Sequence, residues 1–379
     1  MGILIMAGEA SGDQHGARLV AALRELEPSL RFSGVGGERM REAGVDTFSG
    51  IGRLGVVGRV EIAVALPSLW KIYRRFIEEM KGGLHEAIIL IDYPGFNLRL
   101  ARAAKRHGLS VIYFIAPQVW AWWRGRVKGI ARWVDLVLSI LPFEAEFYGR
   151  AGIEARYIGH PLVGELRGVP GKRQAREELG LPPDSPVVGI LPGSRERELR
   201  SLLPPMLGAA REIQRAFPET RFLLPLASTL SPKRVNGYLA GTAPSVRLLE
   251  GVALKAMSAS DFLMVASGTA TLEAGLLGVP LVIVYRVNAL TYWLTRNFLI
   301  KIPHIGLVNI VAGRLVVPEL IQAEVTPGNI AREALKVLGD KSHAEEVRGR
   351  LGELRGILGE REAYREAATQ IVSFLKRVS

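Results

Sequence analysis

The stretch that decides the fold is residues 261–286, which reads DFLMVASGTATLEAGLLGVPLVIVYR. Two short apolar runs enclose a turn of small residues, a series of helix formers and a Gly-Val-Pro stop. Length and apolarity alone would allow a transmembrane helix, but this internal punctuation is typical of strand, turn, helix and strand. The stretch therefore predicts a βαβ unit.

The turn of this unit consists of Ser267, Gly268 and Thr269 and opens the predicted helix. A helix that starts with small residues exposes backbone N–H groups at the positive end of its dipole, which suits an anion. Glu273 lies one turn further on and is able to accept hydrogen bonds from a ribose. The alternative is that Glu273 only stabilises the helix N-terminus, by roughly 0.3–1 kcal/mol.

A second loop of this kind contains Gly193, Ser194 and Arg195 and follows a predicted strand at 187–191. Arginine binds phosphate oxygens in a bidentate manner. Pairing of Arg195 with the acids within 196–198 is the alternative, but two anion-type turns in one half of the chain favour a diphosphate site. Because no acidic cluster beside these loops suits Mg²⁺, charge neutralisation by Arg195 and the helix dipoles is the simpler prediction.

The amino-acid composition restricts the classes to which this protein can belong. A chain of 379 residues with 48% hydrophobic and 23% charged residues is globular and long enough for two domains. The net charge of +12 favours an anionic partner: a nucleotide, a phospholipid surface or nucleic acid. The absence of cysteine excludes disulfides and thiolate metal sites, and the scattered histidines predict no zinc site. The chain begins directly in a strand without a signal-peptide pattern, so we expect a cytoplasmic protein.

The first half of the chain begins with a predicted strand at 2–8 and a glycine-rich turn that contains Ser11 and Gly12. The spacing is not G-x-G-x-x-G, so these glycines either bring a ligand close to the backbone or only permit a tight turn. Further strands alternate with helices, which predicts a doubly wound parallel sheet. These strands are predicted at 31–35, 87–91, 111–115, 136–140 and 156–158.

Asp92 directly follows the apolar strand at 87–91, and Pro94 and Gly95 turn the chain immediately after it. Ligands of doubly wound sheets bind beyond the carboxyl ends of the strands. A carboxylate at this position is either a general base or a cap of the following helix, and the local sequence leaves both readings open.

A polar segment rich in Gly and Pro at 164–172 is typical of a linker, and the alternation of strands and helices restarts after it. The sequence therefore predicts an α/β protein with two Rossmann-like, doubly wound domains at 1–165 and 172–345. The final helices have apolar residues at helical spacing. We expect the last segment, 346–379, to pack back on the first domain.

An amphipathic helical pattern includes Leu66, Leu69, Trp70 and Tyr73, with lysines and arginines beside the apolar positions. Such a helix suits an anionic bilayer interface or an acyl chain. A helix that packs its apolar face into the core is the alternative. The run of tryptophans and basic residues at 120–128 is not accompanied by a nucleic-acid-binding signature, so we expect no nucleic-acid partner.

A set of longer motifs runs in order across most of the chain. These motifs are Ala7-Gly8-Glu9-Ala10-Ser11-Gly12-Asp13, Asp92-x-Pro-x-Phe-Asn97, Val119-Trp120-Ala121-Trp122, Leu141-Pro142-Phe143-Glu144, Ile158-Gly159-His160, Leu191-Pro192-Gly193-Ser194-Arg195, Ala266-Ser267-Gly268-Thr269-Ala270-x-Leu272-Glu273 and Asn309-x-x-Ala312-Gly313-Arg314. With them, the chain resembles the bacterial lipid A disaccharide synthase family, glycosyltransferases of the GT-B type.

The resemblance implies two Rossmann-like domains that face a central cleft. It implies an inverting transfer in lipid A and lipopolysaccharide biosynthesis, from UDP-2,3-diacylglucosamine to 2,3-diacylglucosamine 1-phosphate (lipid X). The products would be the β-1,6-linked lipid A disaccharide 1-phosphate and UDP. It also implies that the enzyme needs no cofactor and no metal and that it associates peripherally with the anionic surface of the inner membrane. A homo-oligomer remains possible.

The resemblance also implies roles for individual residues. Asp92 becomes the general base and Arg195 the partner of the diphosphate. UDP would be held by Ser267, Thr269 and Glu273, with Gly193, Ser194 and Gly268 in the two anion-type turns. Asn309 would line the cleft, and Ser11 and Gly12 would face it from the other domain.

Two other readings use the same residues. A different GT-B enzyme that uses UDP-N-acetylglucosamine is one: a transferase acting on a lipid-linked cell-wall precursor, or a 2-epimerase. The other is a nonenzymatic basic protein that binds membranes through residues 66–81, but it leaves the two anion-type turns without a purpose.

Overall fold

The computed structural model describes residues 1–50, 59–122, 127–240, 245–288 and 303–378, with the backbone alone described at 59–66 and 121–122. The chain divides into two compact units. The first unit comprises Met1–Pro161 together with Glu360–Ser379, and the second comprises Leu162–Gly359.

The first unit contains a seven-stranded parallel sheet in the order β3-β2-β1-β4-β5-β6-β7. Its elements before the division are β1 (Gly2–Ala7), α1 (Ala10–Leu26), β2 (Arg31–Val35), α2 (Glu38–Glu42), β3 (Asp46–Ser49), α3 (Arg59–Lys81), β4 (Ala87–Ile91), α4 (Pro94–Arg106), β5 (Ser110–Phe114), α5 (Val119–Trp122), α6 (Val127–Trp133), β6 (Leu136–Ser139), α7 (Pro142–Gly149) and β7 (Glu154–Tyr157).

The second unit contains a six-stranded parallel sheet in the order β10-β9-β8-β11-β12-β13. The remaining elements of the chain are α8 (Pro161–Glu165), α9 (Lys172–Glu178), β8 (Val187–Leu191), α10 (Glu196–Ala216), β9 (Arg221–Leu226), α11 (Pro232–Leu239), β10 (Val246–Glu250), α12 (Ala253–Ala259), β11 (Phe262–Ala266), α13 (Thr269–Leu276), β12 (Leu281–Tyr285), α14 (Leu307–Ala312), β13 (Glu319–Ile321), α15 (Pro327–Gly339), α16 (Lys341–Leu358) and α17 (Ala363–Val378). The last of these, α17, belongs to the first unit.

The central strands are continuous apolar runs because helices cover both faces of each sheet. All five residues of β4 and all five of β11 are buried. The predicted βαβ unit at 261–286 is confirmed as β11, α13 and β12, and the predicted α/β class with two doubly wound parallel sheets is confirmed as well.

The strand orders locate the point in each sheet where the direction of winding reverses. In the first unit this point lies between β1 and β4, and in the second it lies between β8 and β11. Ligands of such sheets bind beyond the carboxyl ends of the strands at this reversal. The topology therefore selects the loops after β1, β4, β8 and β11 as the candidate site.

The predicted returning segment 346–379 is divided between the two units. Helix α16 packs against α13, α14 and α15 of the second unit, whereas α17 packs against α1 of the first. The burial patterns explain this division. Leu351 and Leu354 of α16 are fully buried in the second unit, while Ile371 of α17 joins the core beneath the first sheet.

None of the helices in the described part of the chain combines the length and the apolarity needed to cross a membrane.

We expect Ile371→Ala to lower the free energy of unfolding by about 2–5 kcal/mol, because the deletion leaves a cavity in a fully buried contact of α17. Urea denaturation measures this loss. Ser373→Ala, on the exposed face of the same helix, serves as the control and should change stability by about 0.5 kcal/mol or less. Equal stability of the two variants would mean that α17 does not stabilise the first unit.

Candidate functional site

Asp92 lies at the carboxyl end of β4, at the reversal point of the first sheet. Asp92 and Tyr93 both have left-handed backbone conformations, with φ of 44° and 45°. Such a conformation costs a residue other than glycine on the order of 1–3 kcal/mol and persists only where the surrounding structure holds it. Two in succession mark this turn as a constrained feature of the fold.

Two side chains hold this turn through the backbone carbonyl of Asp92. The Tyr113 hydroxyl, on β5, donates a hydrogen bond to this oxygen at 2.6 Å. Asn97 Nδ2, on α4, donates to the same oxygen at 2.7 Å and to the carbonyl of Ile91 at 3.0 Å. Asn97 is fully buried, so its amide is fixed in place. Tyr113 was not among the predicted site residues, since no local pattern links it to Asp92.

The turn after β1 lies directly against the Asp92 turn because β1 and β4 are paired. A Cβ atom at Gly8 would lie only 2.7 Å from the ring of Tyr93, so the contact requires glycine at this position. The predicted residues Ser11 and Gly12 lie in the first turn of α1, where Ser11 is exposed and Gly12 is buried.

The pKa of Asp92 is raised above its ordinary value of 3.8. The main cause is that neighbouring protein atoms remove part of the water around the carboxyl group, although Asp92 as a whole is an exposed residue. The negative charge of Glu9 raises the pKa further, and a hydrogen bond from the Tyr93 backbone opposes the shift. The site therefore holds Asp92 as a stronger base than a solvated aspartate.

In the second unit, the loop after β8 binds a carboxylate of the same chain, that of Glu198. Glu198 Oε2 accepts hydrogen bonds from the backbone N–H groups of Ser194 at 3.0 Å and Arg195 at 3.2 Å. Gly193, with φ of 104°, leaves room for this carboxylate. Arg195 Nη1 donates to Glu198 Oε1 at 3.2 Å, as the ion-pair alternative anticipated, yet its side chain is 81% exposed. The guanidinium is thus paired and still accessible.

The loop after β11 is the neighbour of this loop, because Val265 pairs with Leu191 at the ends of their strands. Gly268 and Thr269 are exposed at the start of α13, and Gly268 has no side chain to cap the helix. The hydroxyl of Ser267 donates to the carbonyl of Ile305 at 3.0 Å. The two predicted anion-type turns therefore come together at the reversal point of the second sheet.

Glu273 lies one turn into α13 and is half-buried. Burial raises its pKa above the ordinary value of 4.5, and the negative charge of Glu165 adds to the shift. A carboxyl group in this position accepts a hydrogen bond readily from an uncharged donor such as a sugar hydroxyl.

The side chain of Asn309 is fully buried in the second unit. Its Nδ2 donates to the carbonyl of Val317 at 2.9 Å and to Glu319 Oε1 at 2.8 Å. Its Oδ1 accepts hydrogen bonds from the backbone N–H groups of Val316 and Val317. Asn309 therefore fixes the segment that leads into β13, and its expected place beside the cleft stays a prediction.

The predicted membrane-facing residues lie on α3. Trp70 is 61% exposed and stacks on Tyr73, with ring centroids 5.9 Å apart, while Tyr73 packs edge-on against Phe96 of α4. Leu69 is half-buried, and the side chain of Leu66 lies outside the described residues. The opposite face of α3 is in the core, so the core-packing reading holds for that face, and contact of the exposed face with a membrane or an acyl chain stays a prediction.

Over the described residues, no three His, Asp or Glu side chains converge in a way that could hold a metal ion.

The architecture matches several solved structures over nearly the whole chain. A calicheamicin glycosyltransferase, CalG4, matches with a TM-score of 0.61 and 16% identity, covering 100% of this chain and 99% of that one. MurG of Acinetobacter baumannii matches with 0.60 and 15%, covering 98% and 99%. The UDP-N-acetylglucosamine 2-epimerase of Neisseria meningitidis, solved with UDP-N-acetylglucosamine, matches with 0.62 and 13% over the full length of both chains. The fold is therefore of the GT-B type.

The family follows from the sequence comparison. The model of the lipid-A-disaccharide synthetase family matches residues 3–372. The lipid-A-disaccharide synthase of Syntrophus aciditrophicus is 43% identical over 376 residues, 99% of this chain and 98% of that protein. That of Nitrosococcus oceani is 44% identical over 360 residues, 94% and 92% of the two chains. This chain belongs to the lipid-A-disaccharide synthase family.

Family membership decides among the readings of the sequence. The chain is a glycosyltransferase of lipid A biosynthesis, as predicted. The epimerase and the MurG-type transferase share only the fold at 13% and 15% identity, so the alternative within the GT-B class is not favoured.

We expect Tyr113→Phe to lower the free energy of unfolding by about 0.5–1.5 kcal/mol, since the Asp92 carbonyl loses one of its two side-chain donors. Urea denaturation checks this value. Tyr73→Phe is the matched control, because the structure gives the Tyr73 hydroxyl no hydrogen bond within the described residues. If both variants unfold alike, the hydroxyl of Tyr113 does not support the Asp92 turn.

Proposed function

We propose that this chain transfers 2,3-diacylglucosamine from its UDP derivative to the 6-hydroxyl of 2,3-diacylglucosamine 1-phosphate. The products are the β-1,6-linked disaccharide 1-phosphate and UDP. The reaction takes place in the cytoplasm, at the anionic surface of the inner membrane, where the acceptor is anchored by its acyl chains.

The position of Asp92 carries this proposal. It combines the carboxyl end of a central strand, the reversal point of the sheet, a left-handed turn held by two side chains, and a raised pKa. Backbone strain of this kind clusters at active sites. A raised pKa brings a carboxylate closer to the pH at which it works as a general base.

The proposed reaction is a single displacement. Asp92 takes the proton of the acceptor 6-hydroxyl as that oxygen attacks the anomeric carbon of the donor sugar, and the bond from this carbon to the UDP oxygen breaks. The configuration at the anomeric carbon inverts. The negative charge that develops on UDP is stabilised by Arg195 and by the backbone N–H groups at the starts of α10 and α13.

The second unit holds the donor in this proposal. Exchange of the Glu198 carboxylate for a phosphate of UDP would free the N–H groups of Ser194 and Arg195 together with the guanidinium. This exchange is supported by the chemistry of the loop, which already binds one anion through these groups. Glu273 binds the ribose, and the loop of Ser267, Gly268 and Thr269 lies beside the diphosphate.

The first unit holds the acceptor. The exposed ring of Trp70, with Tyr73, Leu69 and Leu66 on α3, provides the apolar surface for acyl chains and for the bilayer interface. The net charge of +12 favours an anionic membrane surface.

The test is an assay in neutral detergent with both acylated substrates, following disaccharide and UDP by mass spectrometry with and without EDTA. We expect both products in equal amounts, and Asp92→Asn should reduce kcat by about 10²–10⁴-fold because the base is lost. Near-native turnover of a folded Asp92→Asn variant would remove Asp92 as the base. Absence of disaccharide from wild-type protein that still binds UDP would mean a different acceptor.

The activity should depend on pH through the carboxyl group of Asp92. As pH falls, Asp92 takes up a proton and stops acting as a base, so kcat/KM falls on the acid side at a pH above the ordinary aspartate pKa of 3.8. Because the charge of Glu9 raises the pKa of Asp92, Glu9→Gln should lower that pKa and move the acid limb to lower pH. Glu25→Gln, an exposed acid further along α1, should leave the limb in place. If Glu9→Gln does not move the acid limb of the kcat/KM profile, a group other than Asp92 is responsible for that limb.

A further inference from the structure

A pocket of about 480 Å³ lies between α3 and α4 of the first unit. Leu69, Trp70 and Tyr73 line it from α3. From α4 it is lined by Phe96 and by a row of arginines, Arg99, Arg102 and Arg106. A concave site of this volume is in the range of small-molecule pockets and differs from a flat membrane-facing surface.

The three arginines form one stripe of α4, since residues three and four positions apart share a helix face. None of them has an ion pair or a side-chain hydrogen bond in the described part of the chain, and Arg102 is recorded only in a cation–π contact, 5.5 Å from the centre of the Trp133 ring. No carboxylate is among the described lining residues, and Glu79 of α3 and Asp135 pair with Arg75 and Lys105 instead of with the stripe. The pocket therefore concentrates positive charge that the described protein does not neutralise.

The stripe begins close to the proposed base. Asp92 lies two residues before α4, Phe96 lies in the first turn of α4, and Arg99 lies three residues further, about 4.5 Å along the axis at about 1.5 Å per residue. In the acceptor, the phosphate is on C1 and the 6-hydroxyl is on the hydroxymethyl group of C5, and these two carbons flank the ring oxygen. The two groups therefore extend from the same edge of the sugar ring, and an acceptor whose 6-hydroxyl meets Asp92 presents its phosphate to the first arginines of the stripe when this edge lies along α4.

We propose that Arg99, Arg102 and Arg106 bind the free phosphate of the acceptor and that the aromatic wall of α3 takes one of its acyl chains. This assignment rests on the proposed function, and it names the residues that distinguish acceptor from donor. The acceptor carries a phosphomonoester with up to two negative charges, for which guanidinium groups provide bidentate donors. In the donor the corresponding phosphate is the β-phosphate of UDP, which is joined to uridine monophosphate by an anhydride bond and is not free to occupy this pocket.

The experiment measures steady-state kinetics in neutral detergent with the single variants Arg99→Gln, Arg102→Gln and Arg106→Gln and the Arg99→Gln/Arg102→Gln double variant. Each substitution that removes a phosphate contact should raise the KM for the acceptor about tenfold, with kcat and the donor KM nearly unchanged. Arg99→Lys should recover part of the loss, since it keeps the charge without the bidentate geometry. Arg31→Gln, an exposed arginine outside the pocket, is the control for loss of charge.

A dephosphorylated acceptor gives the decisive comparison. Wild-type protein should bind it more weakly than the phosphorylated acceptor, whereas the double variant should hardly distinguish the two lipids. If the variants lose the same affinity for both lipids, the arginines have a structural role. If affinity is lost only on anionic vesicles, the arginines contact the bilayer. Either result overturns the proposal, and so does an unchanged KM for the acceptor.

Direct binding of the acceptor in neutral micelles, measured without donor, separates this proposal from the proposed function. If wild-type protein forms no disaccharide but binds the phosphorylated lipid through these arginines, the pocket assignment stands and the reaction is wrong. If binding of the phosphorylated lipid is the same in wild type and the double variant, the pocket assignment fails regardless of activity.

Discussion

The parallel pairing of β1 with β4 is the constraint on which the candidate site of the first unit depends. The pairing places Ala7 opposite Ile91, so the turns that follow the two strands must share one edge of the sheet. Gly8 then packs against the Tyr93 ring, and the charge of Glu9 acts on Asp92. The same rule operates in the second unit, where the pairing of β8 with β11 brings the two anion-type turns side by side.

The carboxylates of Asp92 in the first unit and Glu198 in the second unit have opposite electrostatic surroundings. Around Asp92, desolvation and a second carboxylate raise the pKa, which strengthens the group as a base. At the loop after β8, backbone N–H groups and Arg195 surround a carboxylate, Glu198, and stabilise negative charge. A transferase requires both environments, one to accept a proton from the nucleophile and one to support the departing anion.

Local sequence was sufficient for the features that depend on local pattern. Apolar runs and their Gly and Pro boundaries predicted the strands, and the strand-end rule placed Asp92 and the loops at 193–195 and 267–269 at sheet edges. The bond from Tyr113 to Asp92 could not be predicted, because it joins residues 21 positions apart on neighbouring strands. The interior hydrogen bonds of Asn309 could not be predicted for a similar reason, since its partners come close only when 316–319 folds against α14. The division of the last helices between the units depends on packing that periodicity does not encode.

The distribution of cations in the first unit is consistent with the chemistry. An arginine in contact with Asp92 would lower its pKa and make it a weaker base. The desolvation and the Glu9 charge that dominate at Asp92 both act in the opposite direction. The arginine stripe of α4 starts at Arg99, three residues after Phe96, whose ring packs against Tyr93 and Tyr73. Helix α4 thus contributes to both features: Asn97 in its first turn holds the Asp92 turn, and its later turns carry the arginine stripe.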